Sequence, residues 1–344
     1  MEYGAIDLHL RRSQFRIEDA TGAVVVEGRL DTSRADFTRV FGGRAPLRVL
    51  LESSTDSEWV AQVLESFGHE VIVAAPNYLP MYGTRDRKVK TDRRDTQALV
   101  TACRLGHYRP AHRVSAATRT RRQTLRVRRQ LVQMRTRMIS LVRALLRQEG
   151  LRLPSGAPNR VVTRLDRLVI PAALQTVLAP VRTWLTALQD LLDPLETTLE
   201  AQAAADPVAQ RLMTAPGVGP IVALTFAATL DSPARFGGDA ARVSAFLGLV
   251  PAEDSSAERR QRGHITKAGP RELRALLVQA AWVIWLGRGA AGAALRTWAH
   301  ALAVRRGRRI AIVALARRLS RILLAMWRDA QDFRPPTVGE AVAA

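Results

Sequence analysis

The hexapeptide K-T-D-R-R-D, Lys90–Asp95, sets two carboxylates three residues apart in basic surroundings. Residues at that spacing share one helix face, so Asp92 and Asp95 can address a single target. The pair also fits an ordinary helix start, with Asp92 as N-cap and Asp95 as first-turn charge. Two further acids bear on the choice. Asp7 interrupts an apolar strand pattern, I-D-L, and Glu52 closes the apolar run L-L-E. Acids so placed ordinarily have a partner. If the strands bearing Asp7 and Glu52 are neighbours and the Asp92 helix crosses their ends, four carboxylates converge. Such charges repel unless divalent cations neutralise them, and hard oxygen ligands suit Mg2+. Two such ions about 3.5–4 Å apart can clamp the attacking and leaving oxygens of a phosphodiester.

The bulk composition agrees with a phosphate-bearing partner. The 344 residues include 52 Lys and Arg against 31 Asp and Glu, a formal net charge of +21. That balance points to DNA, RNA or an anionic membrane. The longest apolar run, about Ala275 to Leu286, is too short to span a bilayer. The N-terminus carries no basic leader followed by an apolar stretch. Hydrophobic content of 47% suffices for packed cores. The single cysteine, Cys103, excludes an internal disulfide and a thiolate zinc cluster, and its apolar neighbours mark it as a small buried hydrophobe. A cytoplasmic nucleic-acid protein is expected. Only Lys88, Lys90 and Lys267 are lysines. Either this is chance in an arginine-biased chain, or Lys90 and Lys267 serve where a compact ammonium is required.

The elements that must position the acids can be read from periodicity. Tyr3–Leu10, Gln14–Glu18 and Val24–Gly28 read as strands, Asp31–Phe41 as a helix, and Leu47–Leu51 as a strand ending at Glu52. Ser57–Phe67 is helical, Glu70–Ala75 is a buried strand, and a helix runs from about Asp92 to Leu105. The alternation predicts a mixed sheet with helices on it. From Arg113 to Gln148 there are eleven arginines and no acid. Val127, Leu131, Met134, Met138, Leu141 and Leu145 suggest a seam on one long helix. Leu174, Val177, Val181, Trp184, Leu188, Leu191 and Leu195 suggest a second, with breaks or kinks at Pro180 and Pro194. These seams fit either a helical hairpin within one chain or pairing between subunits. The last third, to Phe333, reads as helical.

Two more signals lie there. P-G-V-G-P at Pro216–Pro220 precedes an apolar helix, and its glycines, Gly217 and Gly219, either expose N–H groups to a phosphate or simply build a tight turn. The stretch from Gly248 to Gly269 reads as a loop containing Ser255 and Ser256, a basic run and Lys267. A loop serine is usually just solvated, but with basic neighbours it can attack a phosphodiester.

Together, G-A-I-D-L-H (Gly4–His9), L-L-E (Leu50–Glu52), K-T-D-R-R-D, A-P-G-V-G-P (Ala215–Pro220), F-L-G-L-V-P (Phe246–Pro251) and R-G-H-I-T-K-A-G-P-R-E-L-R (Arg262–Arg274) resemble the DEDD transposases of the insertion-sequence one-ten family, the bridge-RNA-guided recombinases. The resemblance runs in order along nearly the whole chain. It implies an α/β plus all-α protein with an RNase H-like (RuvC-like) DEDD domain at 1–112, an arginine-rich helical or coiled-coil region at 113–207, a C-terminal transposase domain at 208–334 and a tail at 335–344. It implies Asp7, Glu52, Asp92 and Asp95 as Mg2+ ligands and catalytic acids. Five residues after Pro251, the family's nucleophile position falls on Ser256, with Ala257 where the family usually has glycine and Ser255 as the alternative. The nucleic-acid contacts expected are Lys90, Arg121, Arg122, Arg128, Arg129, Gly217, Gly219, Arg259, Arg260, Arg262 and Lys267. Implied partners are donor and target DNA, a structured guide RNA and further copies of the chain, with no membrane. Two rivals stay open: a RuvC-like junction endonuclease using activated water, and a non-enzymatic architectural nucleic-acid-binding protein.

Overall fold

A computed structural model describes residues 1–83, 91–255 and 260–335. Two compact units form, Met1–Arg113 and a second from Val114 onward. In the first, β1 (Tyr3–Asp7), β2 (Arg12–Glu18) and β3 (Val24–Asp31) make an antiparallel meander. The chain then passes through α1 (Arg34–Phe41) to β4 (Arg48–Glu52), which pairs parallel to β1. After α2 (Ser57–Ser66), β5 (Glu70–Ala74) pairs parallel to β4, giving the order β3-β2-β1-β4-β5. A short 3-10 turn, Leu79–Tyr82, and α3 (Asp92–Leu105) follow.

Side-chain alternation sorts the sheet into two apolar faces. Ile6, Val49 and Leu51 pack with Phe37, Phe41, Val60 and Leu64 of α1 and α2. Ala5 and Leu50 pack the other way, with Leu99, Val100 and Cys103 of α3. Val49, Leu50 and Leu51 have no exposed surface, as expected of a central strand covered on both sides. Cys103 is fully buried, and desolvation pushes its thiol up to about 12, which leaves it an inert core residue. The first strand stops at Asp7 rather than at Leu10. Beyond it, His9 N–H donates to Ser13 Oγ (3.3 Å) and Thr32 Oγ1 donates to the His9 carbonyl (2.7 Å), so side chains rather than a ladder hold that backbone.

The second unit is helical, with α4 (Ala116–Gln148), α5 (Val161–Asp166), α6 (Ala172–Ala205), α7 (Pro207–Met213), α8 (Pro220–Leu230) and α9 (Ala240–Phe246). It continues through the antiparallel pair β6 (Pro251–Ser255) and β7 (Arg260–Ile265) to α10 (Arg271–Leu286), α11 (Ala293–Arg306) and α12 (Arg308–Arg328). Among the described residues no single helix is long and apolar enough to cross a membrane.

Three expectations are corrected here. The stretch read as a loop between Gly248 and Gly269 contains the β6–β7 hairpin. Its strands, P-A-E-D-S and R-Q-R-G-H-I, lack an alternating apolar face, so the pattern was silent. Helix α6 runs without a break through Pro180 and Pro194, so of the breaks or kinks expected there the breaks do not occur; each proline costs one backbone donor while the leucines around it stay packed. The two seams are met in part: Leu174 and Leu188 are buried as read, and Met138, Leu145, Val181 and Leu195 pack at the edges of the cores, but elsewhere the buried side chain is a neighbour of the one read. On α6 the buried residues are Leu174, Leu178, Leu185, Leu188, Leu192 and Leu199, whereas Val177 and Leu191 are exposed. On α4 they are Leu125, Ile139, Val142 and Leu146, whereas Val127, Met134 and Leu141 are exposed. Adjacent apolar residues, as at Met138–Ile139, Leu141–Val142, Val177–Leu178 and Leu191–Leu192, left the sequence ambiguous. The α4 seam also accepts arginines: Arg128 reaches Glu196 (2.5 Å) and Arg135 reaches Gln189 (2.8 Å) on α6.

This seam makes a discriminating prediction. Leu185→Ala or Leu192→Ala should cost about 2–5 kcal/mol in chemical denaturation, whereas Val177→Ala, on the exposed side, should stay within about 0.5 kcal/mol.

Candidate active site

Ile6 of β1 pairs with Leu51 of β4, so the next residues, Asp7 and Glu52, leave neighbouring parallel strands side by side at the sheet's carboxyl edge. Alternation turns both toward α3, since each lies two residues beyond Ala5 or Leu50. Helix α3 begins there. Its N-cap is Thr91, whose hydroxyl accepts from Arg94 N–H (3.3 Å), so Asp92 is the first helical residue and not the cap. Asp95 follows one turn on and is buried. Asp7 Oδ2 lies 3.3 Å from His9 Nε2, which lies 3.6 Å from Asp92 Oδ1. One ligand atom from each of Asp7, His9 and Asp92 falls within 4.8 Å of the others. Glu52 accepts a hydrogen bond from the Tyr82 hydroxyl.

The electrostatics are those of like charges held close together. Burial lifts the Asp7 carboxyl above its ordinary range; His9 pulls it down, and Glu52, Asp95 and Asp92 push it up again. All three of the other acids therefore raise Asp7, opposed by His9. A carboxylate-rich, oxygen-dominated donor set under mutual repulsion fits a divalent cation. Sequence reasoning missed His9 and Tyr82. His9 had a signal, because D-L-H places it on the same side of an extended chain as Asp7; Tyr82 had none.

The repulsion is opposed by a clamp on α3. In β2, Arg16 and Glu18 are buried, and Arg16 donates to Glu18 (2.8 Å) and to Glu27 of β3 (2.8 Å). Arg93, in the first turn of α3, also bonds Glu27, while Arg104, in its last turn, lies 3.8 Å from Glu18. Both ends of the helix are thereby tied to one hairpin.

The second unit sorts the expected nucleic-acid contacts. Arg121 pairs with Asp206 (2.6 Å), Arg128 with Glu196 and Arg129 with Glu272 (3.2 Å). Arg122 donates to the carbonyls of Ala228 (2.7 Å) and Thr229 (3.0 Å), closing the C-terminus of α8. These four are partly buried and serve the fold. The exposed arginines of α4 are Arg126, Arg137, Arg143 and Arg147, which make no ion pair among the described residues. Gly217 has φ 75°, and a Cβ there would come within 2.6 Å of the Ala280 carbonyl, so the turn lies tight against α10. Gly219 is the N-cap of α8. Ser255 ends β6, paired with Arg260. Ser256, Arg259 and Lys90 lie outside the described residues, as do the side chains of Ser255, Arg260 and Arg262. Lys267, exposed at φ 54°, bonds through its N–H to the Gly248 carbonyl (3.2 Å) at the hairpin's base. Beside it, a Cβ at Gly269 would fall 1.9 Å from the Phe246 carbonyl, which admits glycine alone.

Comparison with known proteins places these features in one lineage. A DEDD transposase model of the IS110 type matches residues 5–150, which contain all four acids and His9. A model described as transposase IS116/IS110/IS902 family matches residues 209–293, which contain the glycine turn and the hairpin. The chain belongs to the IS116/IS110/IS902 family of transposases. This transposase is 28% identical over 341 residues to the probable family 20 transposase of Pseudomonas aeruginosa, covering 97% of this chain and 100% of that one. It is 26% identical to the transposase for insertion sequence element IS1328 of Yersinia enterocolitica, covering 92% and 94%. With the transposase for element IS1111A of Coxiella burnetii it shares 29% identity, over 71% of this chain and 68% of that one.

The clamp gives the prediction for this site. Arg16→Met leaves buried Glu18 with only the more distant Arg104 (3.8 Å) among the described residues and should cost up to about 3–5 kcal/mol, read by denaturant unfolding of the transposase.

Proposed function

We propose that this transposase breaks and rejoins DNA strands with two chemical centres. One is the acidic cluster of Asp7, Glu52, Asp92 and Asp95, which would hold a divalent cation, Mg2+ being the hard ion expected. The other is Ser256, with Ser255 as the alternative nucleophile. The observation that carries this reading is the meeting of Asp7, His9 and Asp92 at the ends of β1 and α3, with Glu52 and Asp95 near enough to raise Asp7. The antiparallel meander extended by two parallel strands, with α3 across β1, β2 and β4, supports an RNase H-like reading of the unit. When bound, the cation supplies charge stabilisation to phosphate oxygens. Asp7 and Glu52, fixed by their strands, and Asp92 and Asp95, fixed by one helix turn, orient that charge.

In the serine step, an Oγ–P bond forms as the P–O bond to a deoxyribose oxygen breaks. The hydroxyl proton ends on the leaving oxygen. Attack by the hydroxyl of another strand then reverses the step and returns the proton to serine, so no phosphodiester bond is lost overall. Basic side chains of β7 and Lys267 would neutralise the charge developing on phosphate. Choice of site would come from a structured guide RNA paired with donor and target DNA. An arginine-rich surface with only 5% aromatic residues suits grip on phosphate backbones better than stacking on bases. Assembly of further copies would bring the two centres together.

Two outcomes test this. Purified Ser256→Ala should form no protein–DNA adduct with DNA, RNA and Mg2+, while Ser255→Ala should still form it; the reverse pattern moves the nucleophile, and an adduct in both variants ends the serine step. Asp7→Asn should abolish cation-dependent cleavage, and cleavage by the wild type without divalent cation would remove the acids from the chemistry. Affinity should separate the arginines as well. Arg126→Gln, Arg137→Gln and Arg143→Gln should each lower the log–log salt slope for duplex DNA by about 0.9, whereas Arg128→Gln should leave the slope unchanged and lower stability.

A further inference from the structure

We propose that His9 is a nitrogen ligand of the cation site, so that the site takes Mn2+ in preference to Mg2+. The proposal rests on the reading of the acidic cluster as a divalent-cation site and adds a residue outside the four acids. The imidazole Nε2 stands between two of those acids, 3.3 Å from Asp7 Oδ2 and 3.6 Å from Asp92 Oδ1. Donor atoms bound to one metal at about 2.0–2.2 Å are separated by no more than about twice that distance, and both separations fit.

A second observation sets His9 apart from a surface histidine drawn to acids. Its backbone is fixed from both sides just past the end of β1. The N–H donates to Ser13 Oγ (3.3 Å), the carbonyl accepts from Thr32 Oγ1 (2.7 Å), and the two hydroxyls bond each other (2.8 Å). Ser13 is fully buried. A half-exposed side chain needs no such support merely to be solvated. A ligand does, because its reach must be set before the metal arrives. The support also fixes direction: with Asp7 and His9 two residues apart in nearly extended chain, both side chains fall on the α3 side of the sheet edge.

The consequence is selectivity. Mg2+ strongly favours oxygen donors and holds its waters, whereas an imidazole suits first-row transition metals; Mn2+ accepts carboxylates and nitrogen together. Removing the nitrogen should therefore penalise Mn2+ and leave Mg2+ nearly untouched. Tuning by His9 would act on which metal is held, and the four acids would still hold one without it.

The test uses the full-length transposase with Mn2+ or Mg2+ alone. Mn2+ affinity is measured by electron paramagnetic resonance, and Mg2+ affinity by competition. Pulsed spectra of bound Mn2+ report whether a 14N nucleus is in its first coordination sphere. Expected for the wild type is nitrogen modulation and tighter binding of Mn2+ than of Mg2+. In His9→Ala the modulation should vanish and Mn2+ affinity fall by about tenfold or more, with Mg2+ affinity changed by less than threefold. Thr32→Val should weaken Mn2+ binding in the same direction while keeping the modulation. Mn2+ bound to the wild type without nitrogen modulation overturns the proposal, as does an unchanged Mn2+ to Mg2+ preference in His9→Ala. Failure of the wild type to bind either ion overturns the cation site itself, a separate result.

Discussion

Like charges must be held together in this fold, and the chain supplies the force from outside the cluster. Asp92 and Asp95 arrive on a helix whose first turn approaches Asp7 and Glu52, and each of those acids raises the cost of ionising Asp7. Left to Coulomb repulsion, the start of α3 would lift away from the strand ends. It is retained by apolar packing of Leu99, Val100 and Cys103 on the sheet, and by the ties from Arg93 to Glu27 and from Arg104 to Glu18. Arg16 joins the two glutamates beneath the helix. Buried ion pairs are seldom a cheap source of stability. Here their value lies in geometry, since they fix where one particular helix begins.

Arginine has two separate jobs, and charge counting merges them. On α4, Arg121, Arg128 and Arg129 hold acids of α6, α10 and the residue before α7, and Arg122 closes α8. The planar, multidonor guanidinium suits this inward work, because one side chain can satisfy two carbonyls at once. Of the outward arginines of the same helix, Arg126, Arg137 and Arg147 occupy other positions of the heptad, whereas Arg143 lies two heptads on from Arg129 and is exposed there. A net charge of +21 therefore overstates the surface available to a polyanion, although the surplus that remains is still large.

Much of the first unit was legible because its physics is local and periodic. Alternation in Y-G-A-I-D and R-V-L-L-E marks the acids' faces, and the apolar run of β4 marks it as central, from which convergence with the Asp92 helix follows. What escaped was set by single tertiary contacts. The end of β1 depends on Ser13 and Thr32, the capping of α3 on the Thr91 hydroxyl, and the placing of Tyr82 on a turn with no pattern. In the second unit periodicity existed but was degenerate: Val177 and Leu178, or Leu191 and Leu192, serve equally well on paper, and only packing between α4 and α6 decides. The β6–β7 hairpin was invisible for the opposite reason, having no apolar face to show.

That hairpin nevertheless has a rigid base, and the base explains why its glycines and its lysine stand where they do. The backbone around Phe246–Gly248 crosses that of Lys267–Gly269 closely enough that a side chain at Gly269 would strike a carbonyl. The crossing is locked by bonds from Thr266 to Val250 and from Lys267 to Gly248. Lys267 accepts a left-handed backbone there, which glycine or asparagine would adopt more easily. Lys267, one of three lysines in the chain, thus stands at the hairpin's root on a backbone set by its neighbours. Among the described residues, Asp7, Glu52, Asp92, Asp95 and Lys267 share one rule: each sits where backbone geometry is decided by neighbours, on the ends of paired strands, on a clamped helix turn or on a locked crossing.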